Sequence, residues 1–273
     1  MLTRDQNVDA NSLLVRRSMT MSLAPAISLV NECAFLYRAP HNLQVLGAQV
    51  YCRTTAGTVA VQLYRATDTQ IVLPGLLAID ATPEKFKLIT NTIIATVAGV
   101  VIRKAPTTAN VFSAAYTVNN AQGAGTAHWG AFLVSINASG TVSTKAVSAD
   151  QDYATEALAI AALPAADAGK VAVGYITVQA KTGGLKWTAN TDDLTPTSDC
   201  TTAHFVNTAA GPTVTSSITP VAADSVDAVM TAGNGALAED ENLLVLVNTD
   251  GSGALVDGRL TIDYSARGYR GGN

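Results

Sequence analysis

Period-two alternation dominates this chain and restricts most of it to strands that bury one face and wet the other. In "RLTIDYSA" Leu260, Ile262 and Tyr264 alternate with Thr261 and Asp263. "GTVAVQLYRA" (57–66) repeats the pattern with Val59, Val61 and Leu63 on one side. "AFLYRA" (34–39) and "NLQVLGAQVYCR" (42–53), parted by Pro40 and His41, are of the same kind. Gly57 is a turn signal, so residues 42–66 read as a hairpin. "IVLPGLLAIDATPEKFKL" adds a Pro-Gly turn and a further strand, and strands at about 243–248 and 258–265 flank an Asp-Gly loop.

The stretch from about 89 to 208 has a different rhythm. "NTIIATVAGVVIRKA" predicts a hairpin turning near Ala98-Gly99, which "NVFSAAYTV" extends. "WGAFLVSINASGTV" (129–142) predicts a second hairpin around an Asn-Ala-Ser-Gly corner, and "VAVGYITVQA" a matching strand. "YATEALAIAALP" is the one helix: Asp150 or Asp152 caps its start, Ala157, Leu158 and Ala161 share a face, and Pro164 ends it. "KTGG" is a turn and "TANTDDLTPTSD" a loop.

The fold class expected is therefore all-β: a jelly-roll-like antiparallel β-sandwich with an inserted mainly-β module containing one short helix. Residues 1–20 form an extended N-terminal arm, 21–88 and 209–273 the discontinuous sandwich, and 89–208 the insertion. The flanks are each too short to make a covered sandwich alone.

Composition narrows the function. Charged residues make up 14% of the 273 residues, against roughly 25% in a typical soluble domain, which predicts a surface that lies largely against neighbours. A net charge of -4 gives no basic footprint, so nucleic acid is not an expected partner. No run of 18 apolar residues exists, so no membrane-spanning helix is expected. "VRRSMTMSLAPAISLVNECA" imitates a signal peptide, but Ser18, Thr20 and Ser22 interrupt its apolar stretch, and export is not expected. Cys33, Cys52 and Cys200 have neither metal-ligand nor paired-disulfide spacing and read as free thiols in a reducing compartment.

Chemistry-bearing groups are sparse. His41, His128 and His204 are far apart and lack neighbouring ligands at metal-site spacing, so no metal is expected. His128 with Trp129 reads as packing or a subunit contact. Asp192-Asp193, Glu239-Asp240-Glu241 and Asp80 with Glu84 read as loop charge and not as paired catalytic acids. "NTDGSGALVD" lacks the ordered oxygen ligands of a calcium loop, and "GAGTAH" lacks the helix and lysine of a phosphate loop. Asn137-Ala138-Ser139 fits a glycosylation sequon that a non-exported chain does not use. No catalytic residue, cofactor or enzymatic activity is expected. Trp129, Trp187 and Tyr116 are the rings from which a sugar-binding platform would be drawn.

The order of elements across "WGAFLVSINASGTV", "YATEALAIAALP", "VAVGYITV" and "TANTDDL" resembles a module of structural proteins of tailed bacteriophages. The flanks, with "GTVAVQLYRA" and "LLVLVNTDGSGALVDGRLTIDY", are similar to jelly-roll-like sandwiches of phage decoration, fibre and adaptor proteins. The resemblance implies a virion component assembled in the host cytoplasm, commonly a homotrimer, and carries over no catalytic residue. The function expected is capsid decoration or cement, with the major capsid protein and copies of itself as partners. The alternative is a tail or fibre component contacting host-surface glycan. The expected anchor is the arm, with Leu2, Leu13, Leu14 and Val15 as apolar contacts and Arg16 and Arg17 as polar ones.

Overall fold

A computed structural model describes residues 15–23, 32–40, 42–89, 92–119, 128–183, 185–197, 199–249 and 254–266. The protein is all-β, built from several antiparallel sheets in a sandwich-like arrangement, with one short helix among the described residues. The chain divides into two compact units, one from residues 1–68 with 211–273 and the other from 69–210.

The discontinuous unit opens with β1 (Val15–Ser22), β2 (Glu32–Arg38), β3 (Leu43–Cys52), β4 (Thr54–Ala56) and β5 (Val59–Ala66). The continuous unit contributes β6 (Gln70–Leu73), β7 (Leu76–Ile79), β8 (Phe86–Ile89), β9 (Ile93–Val97), β10 (Val100–Lys104), β11 (Thr107–Asn110) and β12 (Thr117–Asn119). It goes on with β13 (Trp129–Asn137), β14 (Val142–Lys145), β15 (Asp150–Gln151), α1 (Glu156–Ala161), β16 (Lys170–Ala180), β17 (Lys186–Thr188) and β18 (Cys200–Asn207). The chain then returns to the first unit with β19 (Asp224–Asp227), β20 (Ala236–Leu237), β21 (Asn242–Thr249), β22 (Ala254–Val256) and β23 (Arg259–Ala266).

In the discontinuous unit one sheet runs β1-β23-β3-β19, with β20 also on β3, and another runs β2-β21-β5. Their apolar faces form one core from Val45, Val50, Leu260 and Ile262 on one side and Val61, Leu63, Val245 and Val247 on the other. Each such side chain contributes about 2 kcal/mol relative to exposure. Residues 42–66 are therefore not a hairpin. β3 pairs with β23 and β5 with β21, so the turn at Gly57 carries the chain from one sheet of the sandwich to the other. β1 joins residues 15–20 of the expected arm to the sheet, with Met19 and Met21 packed against the core.

The alternation in β3 shifts by one residue. Leu43 and Val45 face the core, then Ala48, Val50 and Cys52, and the slip at Leu46-Gly47 coincides with a break in register opposite Asp263 and Tyr264. This is a β-bulge, which keeps both halves of the strand facing inward.

The division falls after Asp68 and not after residue 88, because β6 pairs with β9, and β8 with β7 and β11. The β9–β10 hairpin turns at Ala98 and Gly99, whose φ values of 51° and 77° suit a tight two-residue turn. "NVFSAAYTV" does not extend it: β11 pairs with β8, and β12 joins β15 and β17. β13 and β14 form the other expected hairpin, whose corner is held by the Asn137 side-chain oxygen accepting from Ser139 N and Thr141 N. Their sheet, β14-β13-β16-β18, turns Phe132, Val134, Ile176 and Val178 into a core completed by Phe86, Phe112 and Trp187.

At the register shift between Val134 and Ser135, Gly174 on β16 lies so close to β18 that an added Cβ meets Val206 O at 2.2 Å and Asn207 Cα at 3.1 Å. A Cβ at Gly47 meets nothing within 4 Å. Gly174→Ala is expected to destabilise the protein by about 3 kcal/mol through backbone overlap, whereas Gly47→Ala leaves the urea midpoint within error of wild type. Equal midpoints for the two variants would refute this account of the β16–β18 approach.

Candidate functional site

The strand register of the continuous unit brings together polar residues that are far apart in sequence. β13 and β16 pair Trp129 with Gln179 and Ala131 with Thr177, while β16 and β18 pair Gln179 with Thr202 and Thr177 with His204. Trp129, Gln179 and Thr202 thus form one row across the sheet, and Ala131, Thr177 and His204 the next, all on the face opposite the aromatic core.

The helix α1 lies against this face and buries Ala159 there. Its N-cap is Thr155, whose side chain accepts from Leu158 N, and Leu158 points outward at 54% exposure. Asp150 and Asp152 do not cap it. Asp150 accepts from the Thr117 hydroxyl, and Asp152 pairs with Nδ1 of the buried His128. These contacts fasten the segment ahead of the helix to the sheet, aided by paired backbone bonds between Trp129 and Tyr153.

The first helical residue, Glu156, reaches back over the sheet. Its Oε1 accepts from Thr177 Oγ1 at 2.6 Å and lies 2.7 Å from His204 Nδ1. His204 Nε2 is 3.4 Å from Thr202 Oγ1, so an imidazole protonated on Nδ1 donates to Glu156 and accepts from Thr202. The His204 ring lies 5.6 Å from the Trp129 ring, tilted by 38°. Burial alone pushes the Glu156 carboxyl up, but the hydrogen bonds from Thr177 and His204 hold it below its ordinary value.

Hydroxyl, imidazole and carboxylate stand here in the order of a nucleophilic relay. His204 is 49% exposed, and a relay of this kind draws its power from a water-excluding cleft with donors aimed at the developing charge.

Other candidates from the sequence have structural roles. Trp187 is fully buried, meets Phe112 and Phe132 edge-on or tilted, and donates Nε1 to Asp193 O at 3.0 Å. Tyr116 packs on the same core and donates to Thr144 O. Of the three rings named for a platform, only Trp129 lies on the polar face. Asp192 accepts from Thr188 N, Glu241 from Ala238 N, and Asp80 from Ala109 N and Thr82 N, bonds that hold its carboxyl below the ordinary range. Cys52 and Cys200 are buried free thiols, and burial pushes Cys200 up to about 11.

No group of three or more metal-ligating side chains occurs among the described residues. Leu2, Leu13, Leu14, His41, the "GAGT" stretch and the tip of the Asp-Gly loop lie outside the described residues. Val15, Arg16 and Arg17 are in β1, opposite Ala266, Ser265 and Tyr264. Sequence reading missed the Trp129, Glu156 and His204 convergence because 48 residues separate the last two. Its only trace is the run of polar residues at alternate positions 177, 179, 202 and 204.

No family model, curated protein or solved structure matches this chain.

Trp187→Ala is expected to cost about 4 kcal/mol in urea denaturation through the cavity it opens, and Trp129→Ala less than half of that. Because its folded value lies below the ordinary 4.5, Glu156 adds stability that is present above that pH and lost as pH falls through the folded value. Glu156→Gln should therefore flatten part of the acid-side fall in urea midpoint. A midpoint–pH curve parallel to wild type would count against the pairing.

Proposed function

We propose that this protein is a structural component of a tailed-bacteriophage particle that decorates the capsid lattice and stabilises it without catalysis. The observation that carries this reading is where the few charges lie. Charged residues are only 14% of the chain, and the buried polar side chains among the described residues are Thr, Ser, Gln, Asn and His, with no Asp, Glu, Lys or Arg. The charge deficit therefore belongs to the exterior.

On the outer face of the β1-β23-β3-β19 sheet, hydroxyl, amide and carboxylate groups bond to one another: Ser18 donates to Asp263, Thr20 meets Thr261, and Gln49 donates to Asp227. A surface satisfied within itself suits packing against flat neighbours, where free charges would have to be desolvated. The likeness of residues 129–194 to a phage structural module supplies the kind of particle, and self-association as a trimer belongs to the same proposal.

β1 is the edge strand of its sheet and follows directly on residues 1–14. Deleting residues 1–14 keeps β1 intact, which makes it the sharper form of an arm-removal test. The full chain should scatter light as a trimer and co-sediment with empty capsids of the phage that encodes it, and the shortened chain should keep its circular dichroism but lose co-sedimentation. A full chain that stays monomeric and ignores capsids would overturn the proposal. Co-sedimentation that survives the deletion would overturn the role given to Leu2, Leu13 and Leu14.

A further inference from the structure

The face that carries Trp129, Gln179, Thr202 and His204 has the makings of a ligand site that the assembly reading does not use. We propose that it binds a neutral saccharide. Trp129 is part-exposed at the start of β13 and continues into the exposed imidazole of His204, giving an apolar, π-bearing surface bordered by hydrogen-bonding groups. A pyranose presents the complement: an apolar C–H face that packs on aromatic rings and a rim of hydroxyls that both donate and accept.

The rim groups are at hand. The Gln179 amide and the Trp129 Nε1 have no protein partner among the described residues. Both hydrogen bonds to Glu156 end on Oε1, which leaves Oε2 to accept from a hydroxyl. Thr202 is held at 3.4 Å from His204 Nε2, and its oxygen retains acceptor capacity. The geometry is preset, because Gln179 and Thr202 are opposed on neighbouring strands and Glu156 is fixed by Thr177, a fully buried residue. Little ordering is then lost on binding.

Charge selects the ligand class. Around Trp129 the sheet positions of this face, Ala131, Thr177, Gln179, Thr202 and His204, include no Lys or Arg, and the carboxylate of Glu156 stands over them; Lys145 and Lys170, farther along the face opposite Leu133 and Asn137, are paired with Asp167. A phosphate, a nucleic-acid backbone or an acidic sugar would meet the like charge of Glu156, while the His204 imidazole is already engaged by that carboxylate and Lys145 and Lys170 by Asp167. A neutral hexose or N-acetylhexosamine meets none of that penalty.

The test uses the full chain on an array of neutral and acidic oligosaccharides, with poly(U) RNA as a nucleic-acid probe. Tryptophan fluorescence with acrylamide follows in solution. The chain has two tryptophans and Trp187 is fully buried, so the quenchable signal belongs to Trp129. Neutral glycans should be retained and should shield Trp129. Gln179→Ala and Thr202→Val should each weaken retention roughly tenfold, as expected for one lost hydrogen bond to ligand, and Trp129→Ala should abolish it. The Gln179 side chain has no partner among the described residues, so its variant keeps the test valid if Trp129→Ala misfolds. Retention of no neutral glycan, retention only of acidic glycans or RNA, or equal affinity in Gln179→Ala and Thr202→Val would each overturn the proposal. None of these variants alters residues 1–14 or β1, so capsid co-sedimentation and saccharide binding fail independently.

Discussion

The pairing of β13 with β16 is the constraint on which the continuous unit depends. One face of this ladder supplies Phe132, Val134, Ile176 and Val178 to the core, and the other is covered by the segment that ends in α1, so β13 is buried from residue 130 to 136. A strand buried on both faces tolerates no slip in register, since a one-residue shift exchanges every side chain between two different interiors. The polar rows follow from the same register: Thr177 faces His204 because Ile176 faces Phe205. Of the two register shifts in this sheet, the one at Gly174 lets β18 approach a bulged strand without a Cβ in the way, and the other falls between Gln179 and Ala180.

In the discontinuous unit the same economy takes another form. Two sheets share one apolar layer, and chain segments more than 140 residues apart in sequence must meet before β3 has both of its neighbours. Such non-local pairing carries a large closure entropy that is recovered only when the core forms. The bulge in β3 matters here because it returns Ala48, Val50 and Cys52 to the shared layer after Leu46 and Gly47 have faced away.

Strand identity was legible in the sequence wherever alternation was strong, as in Val59, Val61 and Leu63 or Leu260 and Ile262, because period two maps directly onto one buried face. Pairing was legible only in local hairpins, β9 with β10 and β13 with β14. The Gly57 turn signal says that the chain reverses but not whether it reverses within a sheet or between two, and here it crosses. The helix existed where its alanines placed it, yet Thr155 took the cap because Asp150 and Asp152 were engaged by Thr117 and His128, tertiary partners that local pattern does not reveal. The Trp129–His204–Glu156 cluster was hidden for the same reason: each member looks ordinary in its own segment, and only the β13–β16–β18 register makes them neighbours.

The two proposals reinforce each other through multiplicity. A shallow rim with a handful of hydrogen bonds and one indole excludes little water, and single sites of that kind bind weakly. Weak sites become effective when a rigid scaffold repeats them, since the second contact is made at the high local concentration fixed by the first. In the proposed assembly, copies standing on a lattice would supply that repetition, and a site set on paired strands keeps its spacing better than one set on loops. Strong binding at one site would need a deeper pocket, and deepening it at Trp129 would require moving the segment that Asp152 and His128 hold in place.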